Sequence, residues 1–282
     1  YFFRLVIFPR RWGVEEAYQN EVEKGKIEPA EWAALEKEQV SIRSPHGYDL
    51  FAYYIPLKGA KKTVIITHGI TYNLNGSVKY LWMFRKRGYN ALLWDLRHHG
   101  RSGGPDATFG LTEPADLRAV TDYAVERLGG AGWVGSHGES MGAAIALIHA
   151  AGDARIRFVV ADCCYSSMRD ILAYRLKDDY RLPPFPMLDL ADFWFHLRYK
   201  AHFADVSPLK ACAAMETPVF LTHGAQDAFT PPAMSEALYA AKTRGLRKLY
   251  LSPGADHAEA YWNNQAEYDR LVGEFLEEVE GA

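Results

Sequence analysis

The sequence predicts an α/β fold: a mostly parallel eight-stranded sheet with helices on both faces and a helical lid insertion. Three observations predict it. From about residue 38 onward, short β-type runs alternate with longer helical ones. Several of the short runs, such as TVIIT, FVVA and VFLT, are almost wholly apolar, as strands buried on both faces are. One of the alternations is interrupted by a segment far longer than a crossover requires.

Residues 1–37 read as an N-terminal helical extension. Tyr1 to Pro9 is apolar apart from Arg4, Arg10 and Arg11 follow, and the first residue is not Met. This stretch reads either as the stub of an anchor or signal segment or as a helix packed on the domain. Glu15 to Lys37 carries many charges and has helical character.

The core is expected at residues 38–165 and 212–282. Its first strands, Gln39–Arg43 and Asp49–Ile55, are joined by a tight Ser44-Pro45-His46-Gly47 connection, so they read as an antiparallel hairpin at one edge. The remaining strands are expected at Thr63–Thr67, Ala91–Trp94, Gly132–Ser136, Phe158–Ala161, Val219–Thr222 and Lys248–Leu251. Helices at Val78–Arg87, Thr112–Leu128, Met141–Gly152, Pro232–Thr243 and Gln265–Val279 supply the crossovers and the C-terminus.

Roughly 55 residues separate Asp162 from Thr217, where a crossover needs about 20. Residues 166–211 therefore read as a lid. It holds Tyr174, Tyr180, Phe185, Trp194, Phe195, Tyr199 and Phe203, together with Pro183, Pro184 and Pro186. These aromatics either pack the lid onto the domain or line a substrate site, with Phe185 and Trp194 as candidates for substrate contact. A lid that gates access predicts activity that rises at lipid or detergent interfaces.

Composition narrows the function. Apolar residues make up 49% and charged residues 24%, ordinary globular usage that excludes a disordered chain, a collagen-like repeat and a coiled coil. The net charge of −3 offers no phosphate-binding surplus, so no nucleic-acid partner is expected. No apolar run approaches a membrane span, which leaves membrane contact only to an N-terminal anchor. Cys163, Cys164 and Cys212 form no C-x-x-C and no finger-like spacing, so a disulfide framework or structural zinc is not expected. They suit a reducing compartment, hence a cytoplasmic chain or one tethered by a removed N-terminal segment.

The strongest local signal is Gly138-Glu139-Ser140-Met141-Gly142, which follows the strand-like Trp133–Ser136 and precedes the helical Ala143–Ala150. A serine on a sharp strand-to-helix turn presents its hydroxyl at the carboxyl ends of the strands. Glycines two positions to either side remove the clash that such a turn creates. A serine hydroxyl needs a base, and the base needs an orienting acid. His257 lies in Ser252-Pro253-Gly254-Ala255-Asp256-His257, a loop directly after the last strand. His46, His149, His196 and His202 read as surface or packing residues.

The acid should follow a strand between Ser140 and His257. Asp227 does so in Thr222-His223-Gly224-Ala225-Gln226-Asp227. Asp162 is its rival, and Asp256 is badly aimed at its own neighbour. The expected catalytic set is thus Ser140, Asp227 and His257. The oxyanion donors are expected to be the amides of Met141, just after the serine, and Ile70, in His68-Gly69-Ile70-Thr71-Tyr72-Asn73. Tyr72 is a candidate to contact substrate through its hydroxyl, with packing as its other role. The His98-His99 doublet lacks acidic neighbours beyond Asp95 and Asp106 to complete a ligand set. Neither a metal nor a cofactor is expected.

Four motifs in order carry a resemblance: His68-Gly69 with Ile70; Asp95-Leu96-Arg97-His98-His99-Gly100-Arg101-Ser102; Gly138 to Gly142; and His223-Gly224 with Asp227 and His257. From about Val40 to the C-terminus the chain resembles the α/β-hydrolase superfamily, within it the serine esterase, lipase and acyl-aminopeptidase-like hydrolases. The resemblance implies an α/β-hydrolase fold and an oxyanion amide on the residue after His68-Gly69. It also implies an Asp95–Ser102 loop that shapes the sheet edge without acting in catalysis. The chain lacks an HGGG run, which sets it apart from the hormone-sensitive-lipase-like branch. The function expected is a carboxylesterase acting through an acyl-enzyme on a small, apolar or aromatic ester. Amidase, peptidase, acyltransferase or perhydrolase chemistry on the same triad is the alternative, and a non-catalytic binding protein comes after both.

Overall fold

The computed structural model describes residues 2–130 and 132–281; Tyr1, at the head of the apolar N-terminal stretch, lies outside them. Eight strands form one sheet: β1 (Glu38–Arg43), β2 (Asp49–Ile55), β3 (Lys62–Thr67), β4 (Tyr89–Trp94), β5 (Trp133–Glu139), β6 (Ile156–Asp162), β7 (Val219–Gly224) and β8 (Arg247–Ser252). Their order across the sheet is β1-β2-β4-β3-β5-β6-β7-β8. β1 pairs antiparallel with β2, and β2 antiparallel with β4, while every other pairing is parallel. The eight strands and the edge hairpin are those the sequence predicts.

Several strands run further than their apolar cores. In β5 the ladder continues through His137, Gly138 and Glu139, which pair with Val160, Ala161 and Asp162 of β6. Backbone pairing is indifferent to side-chain polarity, so reading apolar runs alone truncates a strand whose end carries the chemistry.

Successive residues of the central strands bury on opposite faces. Ile65, Leu92, Val159 and Leu221 join one core with the helices Glu113–Arg127 and Met141–Ala150. Val64, Ile66, Leu93, Val160 and Phe220 join the other, against Phe84 and the helix Gln265–Glu280, which contributes Tyr268, Val272, Phe275 and Leu276. Period-two alternation with both faces covered explains why these strands read as unbroken apolar runs.

The expected helix Val78–Arg87 is instead a 3₁₀ helix, Leu74–Tyr80, followed by a short α-helix, Leu81–Arg85. The Asn73 side chain accepts from the Asn75 amide at 3.1 Å, and the Leu74 amide donates to Asp95 Oδ1 at 2.8 Å. These two bonds start the turn early and tighten it. The 3₁₀ segment is buried throughout, which turns Lys79 and Tyr80 inward.

The N-terminal extension holds helices Phe2–Ile7, Val14–Glu23 and Pro29–Ala34. Val6 and Ile7 are buried in the core, so the described part of the apolar stretch is a helix packed on the domain. Among the described residues, no helix is long and apolar enough to cross a membrane.

Between β6 and β7 stand helices Met168–Tyr180, Met187–Tyr199 and Pro208–Ala214. The second buries Leu188, Ala191 and Phe195, and Phe195 packs on Tyr199 and Phe203 at ring separations of 4.7 and 4.9 Å. Phe185 and Trp194 are a correction to the sequence reading. They are 75% and 55% exposed and do not line the cavity described below. Trp194 sits with Leu190, Phe193 and Leu197 on the exposed side of its helix, away from the buried stripe. Phe185 precedes that helix in a surface connection.

Burial also sets an expected response to pH. His68 and His149 are pushed down to about 4, and His99 and His137 to about 3, because burial disfavours the imidazolium. In the unfolded chain these imidazoles take up a proton near pH 6.5, where the folded protein resists it. Their contribution to stability is therefore complete above that value and lost as pH falls toward 4. Four carboxyls raised by burial act in the opposite sense, Asp95 and Asp162 (each to about 6), Glu21 and Asp116, against five imidazoles once His98, also lowered by burial, is included. The thermal unfolding midpoint should drop as pH is lowered from 6.5 toward 4.5, measured by calorimetry or fluorescence; a constant or rising midpoint contradicts this.

Candidate active site

The strand order reverses at β3, which has β4 on one side and β5 on the other. Open α/β sheets place ligands at the carboxyl ends of strands beside such a reversal. Here β5 runs into Ser140, which adopts φ 54° and ψ −115° before the helix Met141–Ala150 begins. The turn has no room for larger neighbours. A Cβ on Gly138 would lie 2.3 Å from the Gly142 carbonyl oxygen, and one on Gly142 would lie 2.2 Å from the Thr67 carbonyl oxygen. Sub-contact distances of this kind account for both glycines of the motif. The Ser140 amide donates to the Asp162 carbonyl oxygen at 2.8 Å, which ties the turn to β6.

The loop after β8 brings His257 over this serine. His257 Nε2 is 3.1 Å from Ser140 Oγ, and Nδ1 is 2.7 Å from Asp227 Oδ2. The chain thus brings together Ser140, His257 and Asp227, which lie far apart in sequence. Asp256 has a different place: its Oδ1 accepts from the His257 amide at 2.7 Å and so shapes the loop. Asp162 is also elsewhere, with its Oδ2 2.9 Å from the Tyr80 hydroxyl oxygen.

Asp227 is buried, and burial alone would raise its pKa. Hydrogen bonds from His223 and His257, the positive charge that His257 can carry and the Thr230 amide outweigh burial and hold the carboxyl well below the usual carboxylate range. Its Oδ1 accepts from the amides of Phe229 and Thr230, both at 2.8 Å. The carboxylate is therefore fixed on one oxygen and directed at the imidazole with the other. His223 Nε2 stands 3.1 Å from Oδ2 and 2.7 Å from the Thr230 carbonyl oxygen.

Ile70 and Met141 both line the cavity that opens over Ser140. Among the described residues, neither amide donates to a protein acceptor. A Cβ on Gly69 would sit 3.3 Å from Ser140 Cβ, so the His68-Gly69 backbone passes close to the hydroxyl. His68 fixes that loop. It is neutral, its Nδ1–H donates to the Gly69 carbonyl oxygen at 2.7 Å, and its Nε2 accepts from the Leu96 amide at 2.9 Å. The Asp95–Ser102 loop thereby buttresses the chain that carries the Ile70 amide.

The cavity has a volume of about 210 Å³ and is lined by Val6, Ile70, Phe109, Met141, Ile171, Leu172 and Leu176, with Arg175 and Asp179 at its polar side. Such a surface rewards an apolar group and offers few partners to a polar one. Tyr72 corrects a second expectation. Its hydroxyl donates to Glu21 Oε1 at 2.8 Å and accepts from Asn20, and its ring packs 5.4 Å from that of Trp12. The ring lines a second cavity, beside Ser140 and His257, while the hydroxyl is committed to the helix Val14–Glu23.

Sequence reasoning also missed a buried polar cluster behind the serine. Lys79 Nζ is 2.6 Å from Glu139 Oε2, and Tyr80 Oη donates to Glu139 Oε2 at 2.7 Å. Glu139 was visible as the second residue of the serine motif. Nothing in the sequence marks Lys79, because its inward aim depends on the 3₁₀ turn. Cys163 is buried beside the site, its Sγ 3.9 Å from His257 Nε2. Cys163, Asp227 and His257 have ligand-type atoms within 4.8 Å of one another. Both imidazole nitrogens already face hydrogen-bond partners, so this set fits a hydrogen-bonded relay better than a ligand cage.

Comparisons with known proteins show what the chain is similar to. The family model described as serine aminopeptidase, S33, matches residues 58–169, which include the His68-Gly69 loop and the serine turn. The esterase Pf2001 of Pyrococcus furiosus superposes with a TM-score of 0.72 at 25% identity, over 89% of this chain and 94% of that one. The chain belongs to the α/β-hydrolase superfamily. This α/β-hydrolase is 35% identical over 280 residues to the Bacillus subtilis (strain 168) protein YqkD, covering 99% of this chain and 92% of YqkD. Est1E of Butyrivibrio proteoclasticus, solved with ferulic acid bound, shares the fold at a TM-score of 0.69 and 22% identity, over 86% of this chain and 100% of that one. The α/β-hydrolase described here is accordingly a hydrolytic enzyme.

Proposed function

We propose that this α/β-hydrolase is a serine carboxylesterase. The observation that carries the reading is the imidazole of His257, within 3.1 Å of Ser140 Oγ on one side and 2.7 Å of Asp227 on the other. Ser140 attacks the acyl carbon while His257 Nε2 takes its proton. Asp227 holds the Nδ1–H tautomer and stabilises the imidazolium. The amides of Ile70 and Met141 receive the developing oxyanion. His257 returns the proton to the leaving alcohol, and the same machinery then activates water to release the acid.

The aliphatic cavity supports an apolar acyl group seated against Ile171, Leu172 and Leu176. Replacing Leu172 with Trp should lower kcat/KM for an octanoyl ester by about tenfold or more, while the acetyl ester changes by less than about twofold. An acyl-chain series measured on both proteins tests this; equal losses on both esters would remove the cavity from the acyl site.

A fluorophosphonate probe tests the nucleophile directly. Covalent labelling mapped to Ser140 is expected, and labelling elsewhere or none at all counts against the reading. The match to a serine aminopeptidase family model supports amide cleavage as a second reading. Matched ester and amide substrates separate the two, and a clear amide preference would reverse their order.

A further inference from the structure

We infer that Lys79 and Glu139 are positioning residues, a buried ion pair that clasps the serine turn to the histidine loop and sets the charge beside His257. The inference rests on the serine-hydrolase reading and deepens it.

The geometry is specific. Glu139 is the last residue of β5 and directly precedes Ser140. Lys79 Nζ lies 2.6 Å from Glu139 Oε2 and also donates to the Ala258 carbonyl oxygen at 2.8 Å. Ala258 directly follows His257 and holds φ 61°, a left-handed conformation that residues with a Cβ rarely adopt. One ammonium group therefore grips the residue before the nucleophile and the residue after the base. The second of these would relax without an anchor.

The electrostatics point the same way. Lys79 is buried, with a side chain only 4% exposed, and that of Glu139 is 12% exposed. Burial pushes the Lys79 ammonium down, but Glu139, Glu21 and Asp162 outweigh it and keep Lys79 charged. Burial would raise Glu139, but Lys79 and Tyr80 hold it below the usual range, and a positive charge on His257 favours it further. Glu139 is thus a second carboxylate felt by the imidazolium, balanced by Lys79. Removing either partner leaves the other as an uncompensated charge near His257.

Other groups face His257 from each element around it. Asp227 lies on the loop after β7, with His223 of β7 3.1 Å from its Oδ2, and Cys163 directly follows β6. Asp256 and Glu259 flank His257 on its own loop, and Glu259 is paired with Lys26 at 2.6 Å. Arg175 and Asp178 approach from the insertion, with the Arg175 guanidinium 4.3 Å from the Phe229 ring that packs on the imidazole. All of these stay constant in the variants below, so opposite shifts isolate the pair.

The test is the pH dependence of kcat/KM on a p-nitrophenyl ester, whose acid limb reports protonation of the free enzyme's base. Glu139→Gln should move that limb to lower pH by about half a unit or more, because a negative charge is lost and Lys79 remains. Lys79→Met should move it to higher pH by a similar amount and lower kcat by about tenfold as the Ala258 anchor is lost. The double variant should bring the limb back toward its original position. Glu139→Gln preserves shape and decides alone if Lys79→Met does not fold. An acid limb unmoved in Glu139→Gln, or moved in the same direction by both single variants, overturns the inference. That failure is distinct from failure of the esterase reading, which shows as full activity in Ser140→Ala.

Discussion

Ser140→Ala should reduce kcat for a small p-nitrophenyl ester by on the order of 10³-fold or more while changing KM little. The size follows from what the variant lacks. On the proposed mechanism no acyl-enzyme forms without Oγ, and His257 has no hydroxyl to deprotonate. The cavity, the Ile70 and Met141 amides and the imidazole stay in place and can still assist direct attack by water. That leaves a residual rate above the uncatalysed one. The fold should be untouched, because Ser140 is held by its backbone: its amide donates to the Asp162 carbonyl oxygen at 2.8 Å. Its positive φ of 54° is tolerated as well by alanine as by serine. A rate within a factor of ten of the parent enzyme, with an unchanged melting temperature, would show that another group does the chemistry. Fluorophosphonate labelling of the two proteins side by side separates loss of the nucleophile from loss of the substrate site.

The signals legible in the sequence were local ones. TVIIT, FVVA and VFLT announce buried strands because both faces of the sheet are covered, and no partner needs to be known to see it. Gly138 and Gly142 reveal a tight turn because a Cβ at either would collide with backbone, a constraint written into the residue type. His257 and Asp227 could be nominated by their places after strands, and the fold brings them within bonding distance of one another. What sequence order left hidden was direction. Phe185 and Trp194 sit in an aromatic-rich insertion, but composition does not say which side of a helix meets the domain; Leu188, Ala191 and Phe195 took the inner face. Tyr72 lay in the expected loop, yet its hydroxyl was claimed by Glu21 of the N-terminal extension, a partner 51 positions away. Lys79 was hidden for a similar reason. A helix that starts at Leu74 as a tight 3₁₀ turn rotates its side chains relative to the α-helix expected from Val78.

Asp227→Asn carries the other large expected effect. Asp227 Oδ1 accepts from the Phe229 and Thr230 amides, both at 2.8 Å, so an asparagine here must put its oxygen at that position. Its amino group then occupies the Oδ2 position, 2.7 Å from His257 Nδ1, and donates where the carboxylate accepted. Nδ1 must become the acceptor, which moves the ring proton to Nε2 and leaves nothing to take the Ser140 proton. The expected loss in kcat is on the order of 10³ to 10⁴ at neutral pH, with little change in KM. Stability should fall too, since the folded protein holds this carboxyl well below its ordinary value. A depressed carboxylate contributes stability above its unfolded pKa, and that contribution is lost as pH falls through the folded value. The variant should therefore melt lower than the parent at pH 7, with the gap narrowing in acid. His223 Nε2, 3.1 Å from Oδ2, would face the new amino group and turn to the Thr230 carbonyl oxygen alone. Near-parental kcat in a folded Asp227→Asn protein would mean that the imidazole keeps its tautomer without this carboxylate, and the acid of the triad would then have to be sought elsewhere around the ring.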